Sequence, residues 1–203
     1  GGDTLGVRTL DAFEHGPALL VTGSRRAGRS TVLRTMATFA LRGGWQVVVV
    51  TPRVSPLRDL AGHPDVHGPF DATSDDADVR ARLDLLAAGD APLLVLVDDV
   101  ELLGADGWLP TMLGDLVDRF RDTGSVLAAA GTPAEMGGIY RGPVVALKRS
   151  GSGLMLSPQT STDPDMFGVS MARSLLGQSL PPGAGYLMRS GLPPERVQVI
   201  WPG

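Results

Sequence analysis

The sequence predicts an α/β protein in which helices cover both faces of a mostly parallel central sheet that ends in a C-terminal β-hairpin. Two observations lead to this fold class. Short apolar runs alternate along the chain with segments whose apolar residues recur at three- and four-residue steps, and such alternation is typical of parallel sheets. The last two apolar runs are joined by a short proline-bearing loop, which favours antiparallel pairing.

Apolar runs bounded by glycine and proline predict the first three elements. Ala18–Val21 is an apolar run after a Gly-Pro pair and reads as a buried strand. Ser30–Leu41 has apolar residues at helical spacing, and Gly43 and Gly44 stop this helix. Trp45–Val50 is rich in β-branched residues, so we expect a second strand there.

The middle of the chain continues the alternation. Prolines and glycines across residues 52–69 predict mainly loop, with a short helical turn near Leu57–Leu60. Ser74 can cap a helix that runs to about Ala88, with three aspartates near the positive end of its dipole. Leu93–Val97 is an unbroken apolar strand that leads into two aspartates.

A helix from about Thr111 to Arg121 and an apolar strand at Ser125–Ala130 complete the regular part. Past Gly131 the pattern fades into short segments. These are apolar runs at Val144–Leu147 and Leu154–Leu156, a helix near Ser170–Leu176, and a hairpin made of Gly185–Met188 and Val197–Trp201.

Length and composition set the class of protein. The 203 residues suit one domain, which we place at 1–203, and 43% hydrophobic residues allow a sizeable core. A formal net charge of −4 argues against nucleic acid as a partner, since such partners favour a basic surface. The absence of cysteine excludes disulfides and thiol catalysis, and three scattered histidines make no metal centre. The chain opens on glycine without an initiator methionine and has no leader or long apolar run, so we expect a soluble piece of something longer.

One loop has the spacing that grips phosphate. Residues 23–30, Gly-Ser-Arg-Arg-Ala-Gly-Arg-Ser, match G-x-x-x-x-G-K-[ST] except that Arg29 replaces lysine. A strand leads in and a helix leads out, so backbone N–H groups can surround phosphate oxygens. Ser30 is placed to ligate magnesium, and Thr31 follows it. The alternative interpretation is a glycine-bounded turn with no ligand. The residues assigned to nucleotide binding are Gly23, Ser24, Arg25, Arg26, Ala27, Gly28, Arg29, Ser30 and Thr31.

Arginine does not replace lysine without consequence, because its planar fork is longer and bulkier than an ammonium group. The positive charge is retained while the geometry changes. With Arg25, Arg26 and Arg34, Arg29 forms the one basic concentration near the loop. This cluster either neutralises phosphate or is a solvated loop and helix face.

The strand at Leu93–Val97 ends in Asp98 and Asp99, about 70 residues after the phosphate loop, as in a Walker B element. Asp98 would lie at the carboxyl end of a strand next to the phosphate loop and hold magnesium. Asp99 stands where active ATPases often carry a glutamate that orients the attacking water, and its side chain is one methylene shorter. Thr132, after the next strand, could sense the terminal phosphate or could be a plain turn residue. Three scattered tryptophans are assigned to packing.

These motifs, in this order, resemble the FtsK/SpoIIIE family of ring-forming motor ATPases. Within that family they are most like the degenerate ATPase domains of the type VII secretion protein EccC, particularly its C-terminal one. The likeness extends to the C-terminal part of the chain. This part resembles the family segment in which an arginine and an apolar strand are followed by a glycine-rich turn that leads into the last hairpin. The residues that carry it are 16–31, 95–99, Arg141–Lys148, Leu154–Pro158, Leu180–Met188 and Val197–Val199. The departures are Arg29, Asp99, and Ala130-Gly131 where the family has a Thr-Gln-type sensor.

The resemblance implies a P-loop NTPase fold of the RecA-like kind and a site for ATP and Mg²⁺. It implies a cytoplasmic domain of a larger chain that is anchored at the inner face of the cell membrane and carries several ATPase domains. The partners it implies are those sibling domains, for which a ring is one form of assembly, and secreted helical-hairpin substrates of the W-x-G class recognised through a C-terminal signal.

Three functions remain open on the sequence. The first is a degenerate ATPase domain that recognises substrate and regulates export, with weak or no hydrolysis. The second is an active ATP-dependent DNA translocase of the same family, with Arg29 in the role of lysine. The third is a lone P-loop kinase or small NTPase, which the motor-like tail after Leu180 disfavours.

Overall fold

A computed structural model describes residues 6–8, 16–71, 73–104 and 107–200. The described residues form a single sheet with helices packed against it. The strands are β1 Ala18–Gly23, β2 Gln46–Val50, β3 Val66–Phe70, β4 Leu93–Val97, β5 Val126–Gly131, β6 Gly153–Leu156, β7 Ala184–Met188 and β8 Glu195–Gln198. The α-helices are α1 Arg29–Arg42, α2 Asp76–Ala87, α3 Trp108–Phe120, α4 Pro133–Gly137 and α5 Pro143–Ser150. Short 3₁₀ turns occupy Pro56–Leu60, Val100–Leu103, Asp163–Phe167 and Arg173–Leu175.

The sheet has the order β3-β2-β4-β5-β1-β6-β7-β8. Strands β3 through β6 in that order pair in parallel, and β7 and β8 continue the sheet in antiparallel fashion. The predicted α/β class, the mostly parallel sheet and the terminal hairpin are therefore confirmed. Strand β5 lies between β1 and β4, so one strand separates the strand that leads into Asp98 from the strand that leads into the phosphate loop.

Both faces of the sheet are buried. Along β1, Leu19 and Val21 pack in a cluster with Leu33 of α1, whereas Leu20 packs in a second cluster with Leu113 of α3. Because side chains alternate across a strand, burial on both faces requires an unbroken apolar run, and this is why the central strands lack a polar stripe. Each fully buried leucine contributes about 2 kcal/mol relative to an exposed one.

One strand was missed and three element assignments were wrong. Strand β3 was expected to be loop because it contains Gly68 and Pro69, which an edge strand with one hydrogen-bonded neighbour tolerates. The segment at Val144–Leu147, compared above to a strand, belongs to helix α5, which Pro143 opens at its first turn. The helix expected near Ser170–Leu176 is only the 3₁₀ turn Arg173–Leu175, because Ala172 and Leu176 are extended on either side.

The predicted cap of α2 is also corrected. Asp75, not Ser74, caps the helix and accepts hydrogen bonds from the backbone N–H groups of Ala77 and Asp78. Ser74 Oγ instead accepts from the N–H of Asp71 at 2.9 Å, which closes the turn before the helix. The second strand of the terminal hairpin is Glu195–Gln198, and the predicted end of that strand at Trp201 lies outside the described residues.

None of the helices in the described ranges combines the length and the apolar character that crossing a bilayer requires.

Candidate phosphate-binding site

The predicted phosphate loop is a compact bend between β1 and α1. Strand β1 ends at Gly23 and α1 begins at Arg29, with Gly28 at the helix N-cap in the left-handed region at φ +102°. The N–H of Ala27 closes the bend on the carbonyl of Ser24 at 3.2 Å. Among the described residues none accepts a hydrogen bond from the backbone N–H groups of Arg29, Ser30 or Thr31. Open donors at a helix N-terminus favour an anion, and phosphate binding at this loop stays a prediction.

The carboxylate of Asp98 lies directly beside this loop. It is buried at 3% exposure, and its Oδ2 accepts hydrogen bonds from Ser30 Oγ at 2.7 Å and from Ser55 Oγ at 2.6 Å. The sequence predicted that Ser30 and Asp98 would meet, and they do. Ser55 was missed because it lies in the loop after β2, and only the sheet order brings the carboxyl ends of β2 and β4 side by side.

Arg29 turns away from the open donors and toward the acids. Its side chain is 9% exposed. Nη1 donates to Thr132 Oγ1 at 2.9 Å, and Nη2 donates to Asp99 Oδ1 at 3.2 Å. Nη1 also lies 3.7 Å from Glu101 Oε1. The cation in the lysine position is therefore neutralised inside the protein.

Asp99 is held by a second arginine. Arg53 Nε donates to Asp99 Oδ2 at 2.6 Å, so each carboxylate oxygen of Asp99 faces a different guanidinium group. The hydrogen bond with Asp99 and its negative charge raise the pKa of Arg53 above its usual value. Arg53 was also missed by the sequence analysis, because it lies in the proline-bearing loop after β2. Asp99 itself adopts a left-handed conformation at φ +51° at the start of a 3₁₀ turn.

Glu101 connects Thr132, the predicted phosphate sensor, to the network of Arg29 and Asp99. Its Oε1 accepts from the backbone N–H and from the Oγ1 of Thr132, both at 3.1 Å. Burial raises the pKa of Glu101, and its hydrogen bond lowers the pKa of the neighbouring Glu135. Nothing in the sequence marked Glu101, since acids two residues after a Walker B pair have no fixed role.

The remaining predicted residues fall into two groups. The side chains of Arg25 and Arg26 are exposed on the loop and contact none of the acids. Ala27 and Gly28 are covered by the terminal segment, where the N–H of Gly183 donates to the carbonyl of Ala27 at 2.8 Å. The four arginines of the expected basic cluster thus separate: Arg25 and Arg26 are exposed, Arg29 is buried, and Arg34 pairs with Asp59 at 3.3 Å.

Comparison with solved structures shows what the fold of this chain is similar to. No protein-family model matches the sequence, and no curated protein is similar enough in sequence to serve as a relative. The structure is similar to the cytoplasmic domain of EssC, with a TM-score of 0.76, 15% identity, and coverage of 92% of this chain and 40% of that one. The fold is that of a type VII secretion ATPase domain.

Two further solved structures have the same ATPase-domain fold. EssC (ATPases 2 and 3) from Geobacillus thermodenitrificans matches with a TM-score of 0.76, 16% identity, and coverage of 92% of this chain and 37% of that one. The cytoplasmic domain of the type VII secretion ATPase EccC from Thermomonospora curvata matches with a TM-score of 0.65, 21% identity, and coverage of 94% and 24%. The resemblance predicted from the sequence is confirmed at the level of the fold, and the chain spans well under half of these longer chains.

The ATPase-domain fold implies a nucleotide and Mg²⁺. The residues of this chain fit the phosphate of a nucleotide better than they fit a magnesium ion. The open N–H groups at Arg29–Thr31 fit a phosphate group. The acids fit a divalent cation poorly, because both oxygens of Asp99 are paired with arginine and Asp98 Oδ2 already accepts two hydroxyl protons. At an effective dielectric constant of about 20, unit charges 4 Å apart interact by about 4 kcal/mol, and a divalent ion doubles that repulsion from a nearby guanidinium. Within the described residues no cluster of three or more His, Asp or Glu side chains suits a metal ion.

Proposed function

We propose that this chain is a degenerate nucleotide-binding ATPase domain of a type VII secretion motor, acting in substrate recognition and in the regulation of export. The observation that carries the proposal is the ion pair between Arg29 and Asp99. In a working P-loop ATPase, the loop cation contacts phosphate and an acid near the Walker B strand is free to position the nucleophile. In this chain the two groups engage each other.

This pairing accounts for weak or absent hydrolysis. An acid that orients water must offer a free oxygen at the right place, and a displacement of about 1 Å can reduce the rate by roughly a hundredfold. Asp99 has one methylene fewer than glutamate, and its two oxygens accept from Arg29 and Arg53. The same contacts hold the end of the sheet in a fixed shape, which a receptor needs and turnover does not.

The recognition role is supported by the likeness to secretion ATPases. In the proposed setting, the domain is a cytoplasmic part of a membrane-anchored chain and lies beside sibling ATPase domains, with a ring as the assembled form. Its substrates are secreted helical hairpins of the W-x-G class, which it binds through their C-terminal signal. Regulation then depends on peptide binding to this domain while hydrolysis takes place in a sibling domain.

Steady-state hydrolysis of ATP by the purified chain tests the degenerate part. We expect a rate far below about one per second, the lower end of ordinary enzyme turnover. Brisk hydrolysis that Arg29→Ala abolishes would overturn the proposal. Stimulation by double-stranded DNA, together with salt-sensitive DNA binding, would establish the DNA translocase alternative instead.

Calorimetric titration tests the recognition part. The titrant is a peptide from the C-terminus of a candidate W-x-G secreted protein, and a scrambled peptide of the same composition is the control. Binding of the native peptide alone, without ATP turnover, supports the receptor role. Failure of a panel of such peptides to bind refutes it.

A further inference from the structure

The acids of the site face two fixed positive charges that belong to the protein. Arg29 Nη2 and Arg53 Nε lie 3.2 Å and 2.6 Å from the two oxygens of Asp99. Arg29 is almost fully buried, whereas the side chain of Arg53 is 45% exposed. Together the two guanidinium groups carry the charge of one divalent cation, and both are anchored on the acid nearest to the predicted magnesium ligand.

We infer that the phosphate loop takes a polyphosphate ligand without a divalent cation, with Arg29 and Arg53 supplying the positive charge that Mg²⁺ supplies elsewhere in this fold. The inference rests on the nucleotide-binding part of the proposed function and goes beyond it by naming the ionic form of the ligand. That form is the metal-free anion of a nucleoside diphosphate, a nucleoside triphosphate or pyrophosphate.

Coordination chemistry supports this assignment. Mg²⁺ requires nearly octahedral oxygen ligands at about 2.1 Å and gives up its water reluctantly. To offer such ligands, Asp98 would have to release the hydroxyl protons of Ser30 and Ser55 from Oδ2, and Asp99 would have to release both arginines. A guanidinium group makes no such demand, because its planar N–H donors match phosphate oxygens directly.

The loop backbone supplies the rest of the site. The N–H groups of Arg29, Ser30 and Thr31 have no acceptor among the described residues and lie at the start of the 14-residue helix α1. Arg25 and Arg26 are exposed on the same loop and add positive charge at its outer side. An anion at this place therefore meets open amides and the exposed side chains of Arg25, Arg26 and Arg53 before any metal is needed.

Calorimetry with the whole chain tests the inference. ADP, ATP and pyrophosphate are titrated separately in EDTA and in Mg²⁺ at equal ionic strength. We expect each Kd to differ by less than about threefold between the two conditions, under 1 kcal/mol on the affinity scale. Binding more than about tenfold tighter with Mg²⁺ overturns the inference, and so does the absence of binding in both conditions.

Two charge-conserving variants show whether the guanidinium group of Arg29, and not positive charge in general, makes binding independent of Mg²⁺. Arg29→Lys replaces the planar fork with a compact ammonium that lacks the paired N–H donors matching phosphate oxygens, so binding should become dependent on Mg²⁺. Arg42→Lys makes the same change at the opposite end of α1, where the residue is exposed over Phe39, and should leave the Kd values unchanged. Arg29→Lys that still binds equally well in EDTA overturns the inference.

A second variant keeps the test decisive if Arg29→Lys does not fold. Arg53→Gln alters a half-exposed side chain and should weaken binding in EDTA by about tenfold or more while leaving a folded protein. No loss with Arg53→Gln would contradict the inference. Hydrolysis and peptide binding are measured on the same preparations. Metal-dependent binding without turnover then defeats only this inference, whereas brisk turnover defeats the proposed function.

Discussion

At the scale of single residues, the substitution of arginine at position 29 decides the character of the site. A lysine has one compact charge that follows the phosphate, whereas arginine has five donors in a rigid fork. Arg29 uses that fork to contact Thr132 and Asp99, with Glu101 close by. A charge this deeply buried must be paired, because an unpaired one would be strongly destabilising. Asp99, the acid that would otherwise orient water, is thus committed to stabilising the cation.

Glu101 gives this network a measurable dependence on pH. Burial raises its pKa above the ordinary value of 4.5, so the folded state retains its proton where the unfolded state has lost it. Its contribution to stability is therefore complete below about pH 4.5 and is lost as the pH rises through its folded-state pKa. Relative to Glu101→Gln, the wild-type protein should lose free energy of unfolding as the pH rises above 4.5, as measured by urea denaturation.

The neighbouring carboxyl provides the control for that measurement. Glu135 is exposed, and its hydrogen bond with Glu101 lowers its pKa below the ordinary value of 4.5. Relative to Glu135→Gln, the wild-type protein should therefore lose stability as the pH falls below 4.5 and change little above it. If the wild-type protein gained stability over Glu101→Gln as the pH rose, the assignment of the shared proton to Glu101 would be wrong.

At the scale of elements, the terminal hairpin is fastened to the phosphate loop by backbone. The N–H of Gly183 donates to Ala27, and the carbonyl of Gly183 accepts from Val199 at 2.9 Å. A Cβ on Gly28 would lie 2.9 Å from the backbone N of Gly183. The loop and the hairpin therefore approach closely only because position 28 has no side chain, and a change in one is transmitted directly to the other.

Gly28→Ala measures this close approach. Gly28 and Gly44 both have positive φ, at +102° and +76°, but a Cβ at Gly44 meets nothing within 4 Å. Gly44→Ala should lower the free energy of unfolding by about 1 kcal/mol for backbone strain alone. Gly28→Ala should lower it by roughly 2 kcal/mol more, since overpacking against backbone adds to the strain. If urea denaturation gave both variants the same decrease in the free energy of unfolding, the close approach to Gly183 would make no contribution to stability.

Helix α5 stabilises the segment behind the sensor through one lysine. Lys148 Nζ donates to the carbonyls of Met136 and Ile139 at 2.7 and 3.1 Å, where helix α4 ends. Lys148→Met removes the lysine donor from both carbonyls, of which that of Met136 keeps the N–H of Ile139 at 3.0 Å, and we expect a loss of about 1–3 kcal/mol in the free energy of unfolding. Arg149→Met, on the exposed side of the same turn, should stay within about 0.5 kcal/mol. A thermal melt that gave the two variants the same midpoint would refute this role.

The sequence predicted the elements whose physics is local. The spacing of glycines and apolar residues predicts the phosphate loop, α1 and the buried strands. The predicted bounds of these elements agree with the structure to within a few residues. Ser55 and Arg53 could not be found, because their role depends on which strands lie side by side, and one sequence does not specify strand order. Arg29 was identified as the altered residue, yet its pairing with Asp99 joins residues 70 positions apart. Strand β3 was not predicted, because Gly68 and Pro69 disfavour a strand in the interior of a sheet and are tolerated only at its edge.

At the scale of the whole molecule, stability should decrease from the centre of the sheet toward its edges. Strands β4 and β5 are buried along their whole length and hydrogen-bonded on both sides, whereas β8 alternates between half-buried and exposed residues and pairs only with β7. Local opening requires less free energy where fewer apolar contacts break.

Native-state hydrogen exchange read by mass spectrometry tests this gradient. We expect amides of β4 and β5 to exchange only through global unfolding, with a strong dependence on added denaturant, because opening them separates both layers of helices from the sheet. Amides of β8 and of the edge strand β3 should exchange by local opening, with little dependence on denaturant at low concentration. Protection of β8 equal to that of β5 would contradict the gradient. It would mean that the contact of Gly183 with the phosphate loop binds the hairpin as firmly as the core.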